Sequence, residues 1–246
     1  MIVLFTLVLV RLFGLLLGAP IFMQRGVPLR VRMLIAALIA PVLMPAAMPE
    51  ELPADGYAIT VAMAGELAVG FAIGLLARLV FTSFQIAGTM MGYQMGLAMA
   101  NVMDPDSNRQ TGVLASLHLT MISLLFLLLD GHHMLIRGLA ASFETFPVGA
   151  VLQTDVLAQA VSASAATMWE AGARVAGPVT GIMLLINALL GLINRVIPQM
   201  SIFNIGFPLS ALAGYFAVLF TIPEAAHFFV SALDALELDV ARLVAG

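Results

Sequence analysis

GTMMGYQMGLAMANVMDPDSNRQTG, residues 88–112, is the stretch on which the fold of this chain turns. Gly88, Gly92, Gly96 and Ala100 recur every four residues, and so do Met91, Met95, Met99 and Met103. On a helix, residues four apart lie nearly above one another, so each set forms a ridge. The small ridge lets a neighbouring helix come close, as small residues do where helices pack in membranes. The methionine ridge is unbranched and polarizable and fills irregular space. The pattern predicts a helix that runs on to Asp104 and Pro105. There a polar run follows: Asp104, Pro105, Asp106, Ser107, Asn108, Arg109, Gln110, Thr111 and Gly112. Two readings are open at this point. One is a tight packing face, methionine filler and an ordinary loop. The other is a constriction built inside a membrane.

Composition puts this stretch in a membrane. The chain has 246 residues, 62% of them hydrophobic and 10% charged, with a mean hydropathy of +1.07. A soluble domain carries about 25% charged residues. This chain cannot cover a water-facing surface, so it reads as an all-α, multi-pass membrane protein forming a single domain over residues 1–246. All ten basic residues are arginine and the formal net charge is -4. No basic patch exists, which argues against nucleic acid as a partner. There is no cysteine, hence no disulfide framework and no thiol chemistry.

Six apolar segments follow from hydropathy: 1–23, 33–49, 57–84, 113–136, 173–197 and 206–233. A helix needs ~20 residues to cross a bilayer. The first lacks a basic leader and is interrupted by Arg11, so it reads as a retained span and not a signal peptide. The second holds Pro41, Pro45 and Pro49 and reads as kinked or incomplete. The third continues without a breaker into the Gly/Met helix. Residues 150–172 are less apolar and rich in small side chains, and read as a helix lying on the outer surface or against a partner, with Trp169 as an interfacial anchor. Arginine favours the loops after segments one, three and five, which places those loops in the cytoplasm and both termini outside.

The residues that could carry chemistry are few. Arg11, Glu66, Arg78 and Asp130 lie in or near apolar spans, where ionisable groups are costly. They read either as an ion path or, more economically, as pairs between helices and span-end snorkels. Asp130, His132 and His133 resemble a metal cluster, but adjacent histidines on a helix point to different faces, so no metal site is expected. No HExxH, GxSxG or phosphate loop occurs, so no cofactor and no enzymatic activity are expected. The connection NRVIPQMSIFNIGFPL, residues 194–209, breaks apolar helix around Asn194, Arg195, Pro198, Gln199, Phe203, Gly206, Phe207 and Pro208. Broken backbone at membrane depth is tolerated beside protein or a watery cavity, so this connection reads either as a segment set against something polar or another subunit, or as an ordinary turn between two spans.

Three islands together resemble the FliR family, the R-type subunit of the flagellar export gate and its injectisome counterpart. They are residues 19–32, built on AP, IF, M and QRGVPLRVR; GYQMGLAMANVMDP at 92–105, with LFLLLDGHHMLI at 125–136; and NRVIPQMSIFNIGFPL at 194–209. The resemblance covers essentially the whole chain. It implies a P-like part fused to a Q-like helical hairpin. It implies assembly with P-type and Q-type subunits, and with B-type and A-type export subunits, in the inner membrane at the flagellar basal body. It implies a pore for unfolded flagellar subunits, driven by the proton motive force with a cytoplasmic ATPase. The gate is drawn partly out of the membrane plane, so six apolar segments need not be six crossings. The family's plug loop matches residues 104–112 in position, following Met103, while GFPL matches Gly206, Phe207, Pro208 and Leu209 outright. At Asp106, Ser107, Asn108 and Arg109 position matches but sequence does not, so the resemblance does not say which plug atoms touch the pore wall. Competing readings are an injectisome subunit, a small-solute secondary transporter, and a scaffold without a pore.

Overall fold

The computed structural model describes residues 1–20, 28–48, 53, 55–97, 112–149, 154–196 and 206–245. Among the described residues the chain is helical, without strands. Seven helices follow in order: α1 (Ile2–Gly18), α2 (Leu29–Leu43), α3 (Gly56–Gln94), α4 (Val113–Leu128), α5 (Gly131–Thr145), α6 (Thr154–Val196) and α7 (Phe207–Ala245). The all-α, multi-pass character expected from composition is what is found. Among the described residues three helices, α3, α6 and α7, are long and apolar enough to cross a membrane, and the broken pair α4 and α5 makes up to four. Within those residues the six apolar segments do not translate into six such helices. The first segment yields a 17-residue helix and the second a 15-residue one.

Local chemistry sets several of these ends. Helix α1 stops before Pro20, and Ala19 is extended at φ -73°, ψ 124°, as a residue preceding proline prefers. Helix α2 carries Pro41 in its last turn and ends two residues later. Between α4 and α5, Asp130 takes φ 55°. Aspartate tolerates this left-handed conformation better than most side chains. Gly131 follows it because a Cβ there would overlap the Phe126 ring. Residues 150–172 depart from the sequence reading. From Thr154 onward they are the first part of α6, a 43-residue helix continuous with the fifth apolar segment. Its alanine-rich first half has high helix propensity, and its first internal proline is Pro178. Trp169 is exposed on it.

The chain divides into two compact units, one of Met1–Phe81, Phe126–Thr167 and Ala232–Gly246, the other of Thr82–Leu125 and Met168–Ser231. Helices α3, α4, α6 and α7 each begin in one unit and end in the other.

The first unit is built on a close crossing of α1 and α3. Gly14 and Gly18 on α1 face Gly70 and Gly74 on α3. A Cβ on Gly18 would lie 2.7 Å from the Gly74 carbonyl carbon, and one on Gly70 would overlap the Arg11 carbonyl oxygen. The pairings advance together, so the two helices run parallel. Each strand of the crossing is a GxxxG motif, the pattern that lets helix backbones touch. Helix α2 packs against α1.

One turn before the glycines, this proximity brings two charges together. The buried Arg11 donates from Nε to Glu66 Oε2. Its Nη1 donates to Ser142 Oγ at 3.0 Å and its Nη2 to the Phe146 carbonyl at 2.7 Å. The other Glu66 oxygen accepts from the Gly149 N–H at 3.1 Å. The Phe143 ring lies 4.1 Å from the guanidinium carbon. Arg11 and Glu66 thus pair between helices, while Arg78 and Asp130 are exposed. Nearby, Phe81 meets Phe126 edge-on at 5.3 Å. Ser164 on α6 donates to Asp239 of α7 at 2.8 Å.

Removing one partner of a buried ion pair strands the other and costs about 3–5 kcal/mol. Arg11→Met is expected to lower the heat stability of the purified protein by that order. Arg11→Met combined with Glu66→Met is expected to recover a large part of the loss. Denaturation curves of the three proteins in one detergent check this; a double variant no better than the single one refutes the pairing as the cause.

Candidate loop-anchoring site

The second unit holds both attachment points of the polar stretch. Helix α3 ends at Gln94, ten residues short of the end expected from the sequence. The reason is Gly96, which has φ 74°. Around it the Leu97 N–H reaches back to the Gly92 carbonyl at 3.0 Å and the Gly96 N–H to the Tyr93 carbonyl at 3.0 Å. These two bonds with a left-handed glycine constitute a Schellman cap, which satisfies carbonyls that a helix end leaves open. The carbonyl of Gln94 accepts from Asn187 Nδ2 of α6 at 3.3 Å, and Asn187 Oδ1 accepts from Ser210 Oγ of α7 at 3.5 Å. The end of α3 is therefore held by its own backbone and by both later helices.

Apolar contacts hold the same point. Met91 and Met95 are fully buried. Met95 lies against Gly214 of α7 so closely that a Cβ there would overlap its side chain. A Cβ on Gly96 would lie 3.2 Å from the Phe207 ring. Two of the sequence islands, 92–105 and 194–209, thus meet where α3 ends and α7 begins. Behind them Phe84 packs edge-on against Phe229 at 5.4 Å.

The return of the chain is anchored on the same helix. Helix α4 starts at Val113, and its first turn lies beside α3. A Cβ on Gly88 would come within 2.7 Å of Ala115 Cα and 3.0 Å of the Leu114 carbonyl. At Gly92 the nearest atom would be Leu114 Cβ at 3.9 Å, an ordinary contact.

The sequence-derived residues distribute as follows. Gly88 packs against α4 in the same chain, Gly92 has room, and Gly96 is a cap and not a member of the helical ridge. Met91 and Met95 are core. Ala100, Met99, Met103 and the polar residues 104–111 lie outside the described residues, as do Pro198, Gln199 and Phe203. Gly112 precedes α4 with open space around it. Asn194 is half-buried and Arg195 exposed near the end of α6; Gly206 is buried, while Phe207 and Pro208 are exposed at the start of α7. Sequence reasoning missed Asn187, Ser210 and Gly214. Only Gly214 had a signal, being a glycine within an otherwise apolar helix.

Comparison with known proteins bears out the family resemblance. A family model described as bacterial export proteins, family 1, matches residues 2–236. The flagellar biosynthetic protein FliR of Escherichia coli (strain K12) is 32% identical over 220 residues, 89% of this chain and 84% of that protein. FliR of Pectobacterium carotovorum subsp. carotovorum is 32% identical over 231 residues, 92% and 88% of the two chains. FliR of Bacillus subtilis (strain 168) is 28% identical over 148 residues, 59% and 57%.

A left-handed conformation costs a residue with a Cβ about 1–2 kcal/mol. Gly96→Ala is expected to destabilise the protein by that amount and Gly92→Ala by less than about 0.5 kcal/mol. Gly88→Val, which forces two backbones apart, is expected to prevent recovery of folded protein. Expression yield and heat denaturation check the order; equal effects at Gly92 and Gly96 would contradict the cap.

Proposed function

Because the chain belongs to the bacterial export proteins, family 1, we propose that it is the R-type subunit of a flagellar protein export gate. The carrying observation is the near-complete match to FliR relatives, which the chain covers for most of their length. In this reading it is a structural subunit of the flagellar export apparatus, embedded in the bacterial inner membrane. It joins P-type and Q-type subunits around a pore for unfolded flagellar proteins, and combines a P-like part with a Q-like hairpin.

The exposed apolar surface fits such an assembly. In α6 only 17% of the most apolar window is buried within the chain, and in α7 28%. Lipid or neighbouring membrane subunits must cover the rest. Gly92, which has room among the described residues, would allow close packing by another subunit.

Met103 and the polar residues 104–112 form the plug. Their supports are polarity within an apolar chain and attachment points fixed to α3 on both sides. A plug needs such a fixed mount, because a loop that hangs loose cannot block a lumen reproducibly. Its polar groups would face water or protein in the pore and not lipid. Of the methionine ridge, Met91 and Met95 are core; Met99 and Met103, next to the loop, would give a wall that parts for a chain and reseals.

Replacing residues 106–110 with glycine and serine is expected to make cells with an assembled gate leak ions and small solutes while the complex still purifies. Unchanged permeability would overturn the plug. Loss of the whole gene is expected to abolish motility with solute uptake intact; motile null cells would overturn the export assignment itself.

A further inference from the structure

Helix α5 begins with three metal-type donors in its first turn. Asp130 is its N-cap residue, and His132 and His133 follow. Two adjacent histidines in the middle of a helix diverge, but these stand at a helix start. The left-handed Asp130 closes the turn, its carbonyl accepting from the His133 N–H at 2.9 Å and the Met134 N–H at 3.2 Å. The aspartate side chain thereby comes back over the two rings. His133 Nδ1 lies 3.2 Å from Asp130 Oδ1, and His132 Nε2 lies 4.0 Å from the same oxygen. One donor atom from each of the three residues falls within 4.8 Å of the others. The imidazole rings lie with centroids 4.2 Å apart, tilted by 41° to each other.

We propose that Asp130, His132 and His133 form a binding site for a divalent first-row transition metal ion. Bonds of about 2.0–2.1 Å to nitrogen and oxygen at tetrahedral angles put neighbouring donors about 3.3 Å apart. The observed 3.2 and 4.0 Å need side-chain movement on the order of 1 Å to reach it. The donor set of two imidazoles and one carboxylate suits Zn²⁺ and its neighbours in the series, and not Mg²⁺ or Ca²⁺, which take oxygen ligands. The atom on His132 is Nε2: its Nδ1 is buried and has no hydrogen-bond partner among the described residues. Asp130 and His133 are largely exposed, so water or a donor from a neighbouring protein can complete the coordination. The positive end of the α5 dipole opposes a cation here, and the Asp130 carboxylate offsets it.

The surroundings place the site at the border of the apolar surface. Leu124, Leu127, Leu128 and Leu129 are exposed just before it. The ion would therefore pin the break between α4 and α5 at the point where apolar surface gives way to polar groups. This inference does not depend on the export assignment, although its three residues lie within the 125–136 island that carries part of the family resemblance.

The test uses the full chain, purified in detergent with an affinity tag that contains no histidine, stripped with EDTA and held at one fixed, mildly alkaline pH, because metal affinity depends on pH. Zn²⁺ is titrated against a chromogenic chelator, and Co²⁺ binding is followed by its visible absorption. The expected result is one ion per chain, with affinity lowered at least about tenfold in Asp130→Asn and in His132→Gln with His133→Gln. His227→Gln, on a lone exposed histidine of α7, is expected to change nothing. Should the double variant fold poorly, His133→Gln alone must shift the Co²⁺ spectrum. Zn²⁺ bound equally well by the double variant, no saturable binding, or displacement by Mg²⁺ would each overturn the proposal.

Discussion

A buried arginine sets the terms for the first unit. Arg11 sits in the middle of an apolar helix, where an unpaired charge is not tolerated. It can exist there only because Glu66 reaches it, and Glu66 reaches it only because α1 and α3 touch backbone to backbone at Gly14, Gly18, Gly70 and Gly74. The pair then uses its remaining donors and acceptors on Ser142, Phe146 and Gly149. That ties the end of α5 and the turn after it to the same crossing. A buried ion pair is poor evidence of net stability against an apolar alternative. Its contribution is specificity: one register of α1 on α3 satisfies every group, and a slide of either helix strands a charge.

Among the described residues the second unit has no ion pair at its centre. It is organised by close backbone approach at Gly88, by the methionines at 91 and 95, and by a helix end held from three directions. The two units therefore fix their helices by different means. In the first, charge selects the register. In the second, shape does, with Met95 filling the space that Gly214 leaves open.

Much of this was legible in the sequence, because periodicity and composition are local properties. The all-α membrane class, the small and methionine stripes and the family islands could all be read along the chain. The pairing of Arg11 with Glu66 could not, since 55 positions separate them and nothing local names the partner. The two GxxxG motifs were present to be read, but a glycine spacing does not say which helix it faces. The end of α3 was misjudged for a specific reason. Gly96 continues the four-residue stripe and so looks like helix, yet glycine is also the residue that most readily stops one. Residues 154–172 were separated from α6 because hydropathy falls there, whereas helix formation depends on propensity and on the absence of a breaker.

The cap at Gly96 separates the identity of the polar stretch from its placement. The exit from α3 is determined by backbone bonds among residues 92–97 and by contacts from Asn187, Phe207 and Gly214. The re-entry is determined by Leu114 and Ala115 beside Gly88. Each of these described determinants lies on a helix or in the cap. The two points where the polar stretch leaves and rejoins the helices are therefore set by the helices themselves, and a change at Gly88, Gly96, Asn187 or Gly214 would displace both the second unit's packing and the mount of that stretch.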